Sequence, residues 1–557
     1  MLPIVNSFDA LNAEFAWDIP EFYNIGVDIC DRWADRDPDR IAIIDVKSSG
    51  KGMRHSFANL RDQSNRLAHA LTRLGIGKSG AYGDRVGVLL PQCVETALSH
   101  IALSKMGCIS IPLFTLFERL ALLHRLRDAG AVAVITDATG AAKIASLRDE
   151  LPKLRYVICI DTGEEDTHHF DTLIAGESID FTPMMTRADD PALLIYTSGT
   201  TGNPKGALHA HRVLLGHLPG VETSHNFMGD QGDVFWTPAD WAWIGGLLDV
   251  MMPALHHGAS VIAHRFEKFD GIGAFELMRK HGVTNAFLPP TALKMMRKVE
   301  NPERYALKLR AVASGGESLG ADLLDWGNRA FGVAINEFYG QTECNMIVSS
   351  CAGLEPVAAG IMGRGVVGHN VAIIDETTGA KLPHGIEGAI GVKSPDPVMF
   401  LGYWNNETAT AEKFVSGADG KWLLTGDRGL QTPSGHFQFI GRDDDVISSA
   451  GYRIGPAEIE DCITTHKAVQ FAGVVGKPDA TRGSVIAAYV TLIAGFEPSD
   501  ELAGDIADHV KSQLAAYEYP RVVRFLDEMP MTTTGKIIRH ELRRLAKAEA
   551  ASEEQNG

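Results

Sequence analysis

The chain has 557 residues, more than one ordinary hydrophobic core can serve, so two or more domains are expected. Its 70 Asp and Glu against 52 Lys and Arg leave a net charge of −18, and the lack of a long basic run argues against nucleic acid or an anionic membrane as the principal partner. Seven scattered cysteines without a CxxC pair suggest neither a zinc ribbon nor a disulfide framework, and MLPIVNSFDALNAEFAWD has neither a basic leader nor an apolar stretch, with no run approaching the roughly 18 residues of a spanning helix. A soluble, cytoplasmic protein is expected.

From about residue 80 to 340, short β-branched runs alternate with amphipathic stretches: DRVGVLL, ETALSHIALSKMG, CISIPL, AVAVITD and RYVICID, later ASVIAH, FELMRKHG, VTNAFLPP and LRAVASGG. That alternation predicts βαβ units, parallel sheets covered by helices and an α/β fold class. Within it, ALLIYTSGTTGNPKGALHAHR places hydroxyls, glycines and one lysine after a strand-like run and ahead of a helical stretch, HRVLLGHL. A loop so rich in backbone N–H groups and hydroxyls suits phosphate oxygens. Aligned with GxxxxGK[ST] from Gly199, Lys205 is in register, but Pro204 stands where the second glycine belongs and Gly206 where the Mg-binding hydroxyl belongs. Proline has no N–H to donate, so this is not a Walker loop.

Further along, GESLG (316–320) matches the hydrolase elbow GxSxG and sits between a strand (LRAVAS) and a helix (ADLLDWGNRAF), which makes Ser318 a rival nucleophile. No HGGG-type oxyanion segment precedes it. GRGVVG (363–368) matches GxGxxG but leads into a strand and not a helix, so a turn is expected. The pairs His168–His169 and His256–His257 lack HExxH or acidic ligands at helical spacing and are expected to be structural or exposed. After about residue 360, shorter strands (NVAIIDETTGAKL, GAIGVKS, HFQFIG) predict a more antiparallel, β-rich subdomain. From Asp445, strands FAGVVGKPD, SVIAAYVTLI and RVVRFL with helices ELAGDIADHVKSQLAA and RHELRRLAKAEA form a tail that could fold alone as a small α+β domain, ending in a disordered ASEEQNG.

Six segments occur in order: YTSGTTGNPKG, SGGESLG (314–320), EFYGQTE (337–343), TGDRG (425–429), GRDDDVISSAGYRIGPAEIE (441–460) and TTTGKIIRHELR (532–543). Together they resemble the adenylate-forming acyl-CoA synthetases across most of the chain. The resemblance implies a large ATP- and acid-binding domain (1–443) and a mobile C-terminal domain (444–557) that turns about a hinge at Asp444. It implies an ATP-dependent acid–thiol ligase that forms an acyl-adenylate and passes the acyl group to coenzyme A, with ATP, Mg²⁺ and coenzyme A as cofactors.

The chemistry accounts for the residue types, because a carboxylate must attack the α-phosphorus of ATP and two anions must meet. By resemblance, Thr197, Ser198, Gly199, Thr200, Thr201 and Lys205 cradle the β- and γ-phosphates. Thr342 and Arg453 meet the α-phosphate and Glu343 holds Mg²⁺. Adenine lies between Gly315, Gly316 and Glu317 and the ring of Tyr339, next to Gly340. Asp427, aided by Arg442, binds the ribose hydroxyls. Lys536 bridges the carboxylate and the α-phosphate in the transition state, while Gly451 and Tyr452 belong to the coenzyme A passage. A hydrolase using GESLG, a non-CoA adenylating enzyme of the same fold and a decayed ATP sensor are the alternatives.

WTPADWAWIGGL (236–247) resembles the acyl-pocket segment of acetyl- and medium-chain synthetases, with Trp243 and Gly245 near the acyl group. Acetate-specific relatives close that pocket with a tryptophan after the adenine-stacking aromatic, where this chain has Gly340. The absent indole is expected to leave a tunnel for short- to medium-chain, branched or aromatic acids. Lys536 is also a candidate target of a lysine acetyltransferase, and a homo-oligomer is compatible with the sequence.

Overall fold

The computed structural model describes residues 2–556 apart from 48–50, 81, 162–165, 198–203, 230–231, 318, 443–444, 446, 450–451, 480–482, 515–517 and 533–534, and the backbone alone at 79, 448, 452–453, 458, 483 and 553–556. Two large sheets carry the first 400 residues. One places the strands Ile109–Pro112, Arg85–Leu89, Ala133–Thr136 and Tyr156–Cys159 in parallel beside Pro191–Thr197. The other runs in parallel through Ile335–Gln341, Ala311–Gly315, Asn285–Phe287, Val234–Trp236 and Ser260–Ala263 to Ile41–Val46.

The helices Val94–Lys105 and Val213–Ser224 each bury eleven of their twelve residues. Both helices are covered on every side and contribute to one apolar cluster that joins the two sheets. Close approach there requires missing side chains: a Cβ on Gly216 would lie 2.4 Å from Val398 N, and one on Gly220 2.4 Å from Met346 O. The single ammonium in that core, Lys105, donates to Ser64 Oγ (3.0 Å) and Asn65 Oδ1 (2.8 Å) and pairs with Asp31, so its burial is compensated.

Helix limits follow their caps. The Asp270 carboxylate accepts from the N–H of Ile272 and Gly273 and starts Gly271–His281, and left-handed Gly282 ends it.

A third, antiparallel sheet is built on the long strand Gly420–Gln431, paired with Gly388–Ser394, Phe414–Gly417 and Phe437–Arg442, as the change of texture after residue 360 predicts. The C-terminal segment has its own three-stranded sheet, Val469–Asp479, Gly483–Leu492 and Val522–Phe525. Two apolar clusters formed by residues 447–546 pack its faces against Pro456–Thr464, Asp500–Gln513 and Arg539–Asn556.

Two expectations change. Lys205–Ala210 is a strand antiparallel to Pro191–Thr197, so the phosphate loop closes a hairpin and the helix begins only at Val213. Pro204 cannot sit inside a helix, and Tyr403 of Gly402–Tyr403 supplies a second strand partner at Ala207. The last helix runs to Asn556, through most of the segment expected to be disordered, because its apolar positions Leu542, Ala546 and Ala550 pack downward. No helix among the described residues is long and apolar enough to cross a membrane.

Phe275 is fully buried and stacks on Tyr305 at 5.0 Å between ring centroids. Phe275→Ala should destabilise the large domain by about 3–5 kcal/mol, read as a lower urea midpoint with an unchanged slope.

Candidate active site

All three sheets and the C-terminal segment meet around one cavity of about 800 Å³. At one end, Thr197 and Lys205 face each other in register across the hairpin, so the ends of the phosphate loop are pinned side by side. Ser198, Gly199, Thr200 and Thr201 lie outside the described residues. Lys205 Nζ stands 5.3 Å over the ring of Tyr403, whose hydroxyl donates to Glu343 Oε1. Glu343 lines the cavity wall together with Thr342.

The opposite wall holds the groups expected to meet a nucleoside. Gly315 ends the Ala311–Gly315 strand, left-handed Gly316 and Glu317 follow it, and Tyr339 faces the cavity from the neighbouring strand. Tyr339 donates its hydroxyl proton to Asp427 Oδ2 at 2.6 Å. Asp427 and Arg442 are register partners on adjacent strands, with Arg442 Nε 3.9 Å from Asp427 Oδ1. Burial raises the Asp427 carboxyl above its ordinary range despite Arg442 and the tyrosine.

Lys536 enters from the C-terminal segment. A turn presents it: Thr532 N donates to Lys536 O (2.7 Å), Gly535 N to Thr532 O (2.9 Å) and Lys536 N to Thr532 Oγ1 (3.1 Å). Its ammonium is 5.7 Å above the Trp243 ring, and a Cβ on Gly316 would touch it at 3.6 Å. Burial lowers the Lys536 pKa, opposed by Glu317 and Asp427. Behind it, Arg539 pairs with Glu460 and, at 3.6 Å, with Asp445, which Arg543 also engages. These ion pairs tie the last helix to the segment that follows the proposed hinge. Asp444 and Gly451 lie outside the described residues, and only the backbone of Tyr452 and Arg453 is described, in the strand Tyr452–Ile454.

Trp243 and Gly245 line the remaining end with Phe287 and Phe338. Gly340 lines it as well, but the expected vacancy beside it does not exist. A Cβ there would meet Met346 N at 2.5 Å and Asn345 Cα and Oδ1 at 2.6 Å, so the neighbouring strand occupies that direction. That end of the cavity is therefore shaped by the ring wall and by Asn345, not by a missing indole.

Motif spacing did not reveal five cavity residues. Lys413 Nζ donates to Gln341 Oε1 (3.0 Å) and to the carbonyls of Leu424 and Thr425, and burial lowers its pKa. Tyr403, Glu337, Asp249 and Asn345 are the others. Glu337 accepts from Leu319 N (3.1 Å) through one oxygen, and the other is buried without a partner among the described residues. Burial pushes it up to about 8. Asn345 stands two residues after Glu343 and was within reach of motif reasoning; Lys413 and Tyr403 carry no local signal.

The family model described as "AMP-binding enzyme" matches residues 30–404, and the one described as "AMP-binding enzyme C-terminal domain" matches 458–536. The chain belongs to the AMP-binding enzyme family. It is 33% identical to the mouse (Mus musculus) acyl-coenzyme A synthetase ACSM4, mitochondrial, over 97% of this chain and 93% of that protein. Among solved structures it is similar to the anthranilate CoA ligase AuaEII in complex with anthranoyl-AMP (27% identity, TM-score 0.85, 96% of this chain and 99% of that one). It is also similar to ATP-bound MatB from Rhodopseudomonas palustris (27% identity, TM-score 0.82, 95% and 99%). The chain is thus an AMP-forming acyl-CoA ligase, and the hydrolase alternative built on Ser318 has no support.

Two predictions follow from the geometry. Gly340→Ala should cut turnover for every acid by a similar factor, about tenfold or more, because its methyl group must displace backbone and not fill a tunnel; initial rates across a chain-length series check this. For Glu337, the unfolded chain ionises near 4.5 while the folded protein stays protonated to about 8. Stability is therefore lost as pH rises through that window. Glu337→Gln should raise Tm at pH 8.5, by an amount on the order of 2 kcal/mol in stability, and leave it nearly unchanged at pH 4.5, as scanning calorimetry at the two pH values would show.

Proposed function

We propose that the enzyme activates a compact, ring-sized or medium-chain carboxylic acid, with Lys536 as the catalytic cation of adenylation and the C-terminal segment 444–557 turning away for thioester formation. The observation that carries this is the position of Lys536, beside Trp243 at the acyl end and beside Gly316, Glu317 and Asp427 at the nucleoside end. A cation there lies between where a carboxylate and an α-phosphate would meet. Neutralising both anions as the carboxylate oxygen attacks phosphorus is the stabilisation such a step needs. Pyrophosphate then departs toward Lys205.

Glu343 fits a magnesium ion. It is a carboxylate on the cavity wall that Thr342 also lines, with one oxygen accepting from Tyr403. Mg²⁺ takes one or two carboxylates and completes its shell with phosphate oxygens and water. Bound there, it would screen the charge of the β- and γ-phosphates. Thr197, Thr342 and Lys205 supply the protein's own donors on that side. Asp427 and Tyr339 share a proton that ribose hydroxyls can replace, and Arg442 keeps the carboxylate oriented.

In the second step the thiol sulfur of coenzyme A attacks the acyl carbonyl carbon and AMP leaves with the bonding pair. Coenzyme A brings the nucleophile, so no protein thiol is needed. Similar structures support the acid class: AuaEII is an anthranilate CoA ligase, and another is a benzoate CoA ligase from Burkholderia xenovorans. Acetylation of Lys536 would remove the charge, and the half-buried position of Lys536 in this arrangement means the segment must turn outward for a modifying enzyme to reach it. A cytoplasmic location is part of the same proposal; the mouse relative is named as mitochondrial, and cell fractionation distinguishes the two.

Lys536→Ala should slow acid-dependent ATP–pyrophosphate exchange at least about a hundredfold while leaving conversion of premade acyl-AMP and coenzyme A to thioester near the parent rate. Equal losses in both half-reactions would contradict the assigned role.

A further inference from the structure

The acyl end of the cavity closes on two polar side chains. Asp249 follows Gly245 by four residues on one helix, which contains a π turn at Leu247–Met251, a local insertion that often re-aims a side chain at functional sites. Asn345 comes from the facing strand. Between the register pairs Tyr339–Val348 and Gln341–Cys344, the single Gly340 stands opposite three residues, 345–347, and Met346 adopts a left-handed φ of 55°. That is strained for a side chain of this kind and aims Asn345 across Gly340 into the cavity.

Asn345 Nδ2 donates to Asp249 Oδ1 at 2.8 Å and to Oδ2 at 3.1 Å. This leaves Asn345 Oδ1 as an acceptor with no hydrogen bond among the described residues, although the residue is only 5% exposed. Asp249 is 3% exposed, with His217 Nε2 at 3.8 Å, beyond hydrogen-bond reach. Above this polar floor the walls are rings: Trp243 and Phe287 at 6.1 Å between centroids, Phe287 and Phe338 at 5.2 Å. Gly245 lets them close in, since a Cβ there would lie 2.9 Å from Phe287.

An apolar acyl tail driven onto this floor would strip water from an acceptor and give nothing back. The geometry points to an acid whose far end carries a hydrogen-bond donor, a hydroxyl or an aromatic amine on a flat ring, received by Asn345 Oδ1 and the Asp249 carboxyl. This rests on the assignment of this end of the cavity to the acyl group. A site built to bond an O–H or N–H rejects the analogue without it far more strongly than an apolar pocket distinguishes one methylene.

The test is acid-dependent ATP–pyrophosphate exchange by the full chain with matched acids. The panel is the 2-, 3- and 4-hydroxy-, amino- and methylbenzoates, with 5-hydroxypentanoate against hexanoate as the aliphatic pair. At one ring position the hydroxy or amino acid should exceed its methyl counterpart in kcat/KM by about tenfold or more. Asn345→Leu should invert that preference, the methyl acid then exceeding its hydroxy or amino counterpart in kcat/KM. Asn345→Ser, which is too short to reach, provides the same comparison if the leucine variant does not fold. Methyl acids equal to or better than their hydroxy and amino counterparts at every position would overturn the inference alone. Failure of every acid in the panel to drive exchange would overturn the proposed acid class together with it.

Discussion

Joining a carboxylate to a triphosphate requires cations that are held close to both without being neutralised beforehand. Lys536 and Lys413 are in that state: each has carboxylates nearby, yet burial outweighs them and lowers its pKa. A desolvated ammonium with incomplete compensation is unfavourable in the empty cavity and favourable once an anion arrives. The rest of the site follows from keeping such groups in place. Lys413 is held by Gln341 and two backbone carbonyls, and Lys536 by a tight turn backed by the Arg539–Glu460 pair.

Because Lys536 belongs to a segment with its own sheet and apolar clusters, its charge can be supplied or withdrawn by moving that body as a unit. Asp445 anchors Arg539 and Arg543 immediately after the proposed hinge, so rotation there would carry the last helix and the lysine turn together. In the two-step cycle proposed above, a lysine on the large domain could reach the same place but could not leave it for the second half-reaction.

The hairpin of residues 335–349 organises both ends of the cavity. One strand supplies Glu337, Tyr339 and Gly340, its turn Thr342 and Glu343, and the returning strand Asn345. Tyr339, Glu343 and Asn345 are therefore displaced together by any shift of one hairpin. Gly340 shows why sequence comparison can mislead at such a place. A glycine in a motif says that a side chain is absent; whether the space is vacant depends on the neighbouring strand, and here the Asn345–Met346 backbone fills it.

By itself the sequence determined the α/β sheets, the antiparallel third sheet, the separate C-terminal segment and the chemistry. Those are set by local periodicity and by motifs whose residue types are dictated by phosphate and carboxylate. It also identified Lys205, Glu343, Asp427 and Lys536, which line the cavity as a group. Only the tertiary structure decided that the phosphate loop closes a hairpin, that Lys413 and Tyr403 join the phosphate end, and that Asp249 and Asn345 form the floor. These depend on contacts between residues up to about 200 apart in sequence, on one bulge and on one π turn. Burial of a polar side chain is decided by what packs over it, and no local pattern of residues carries that information.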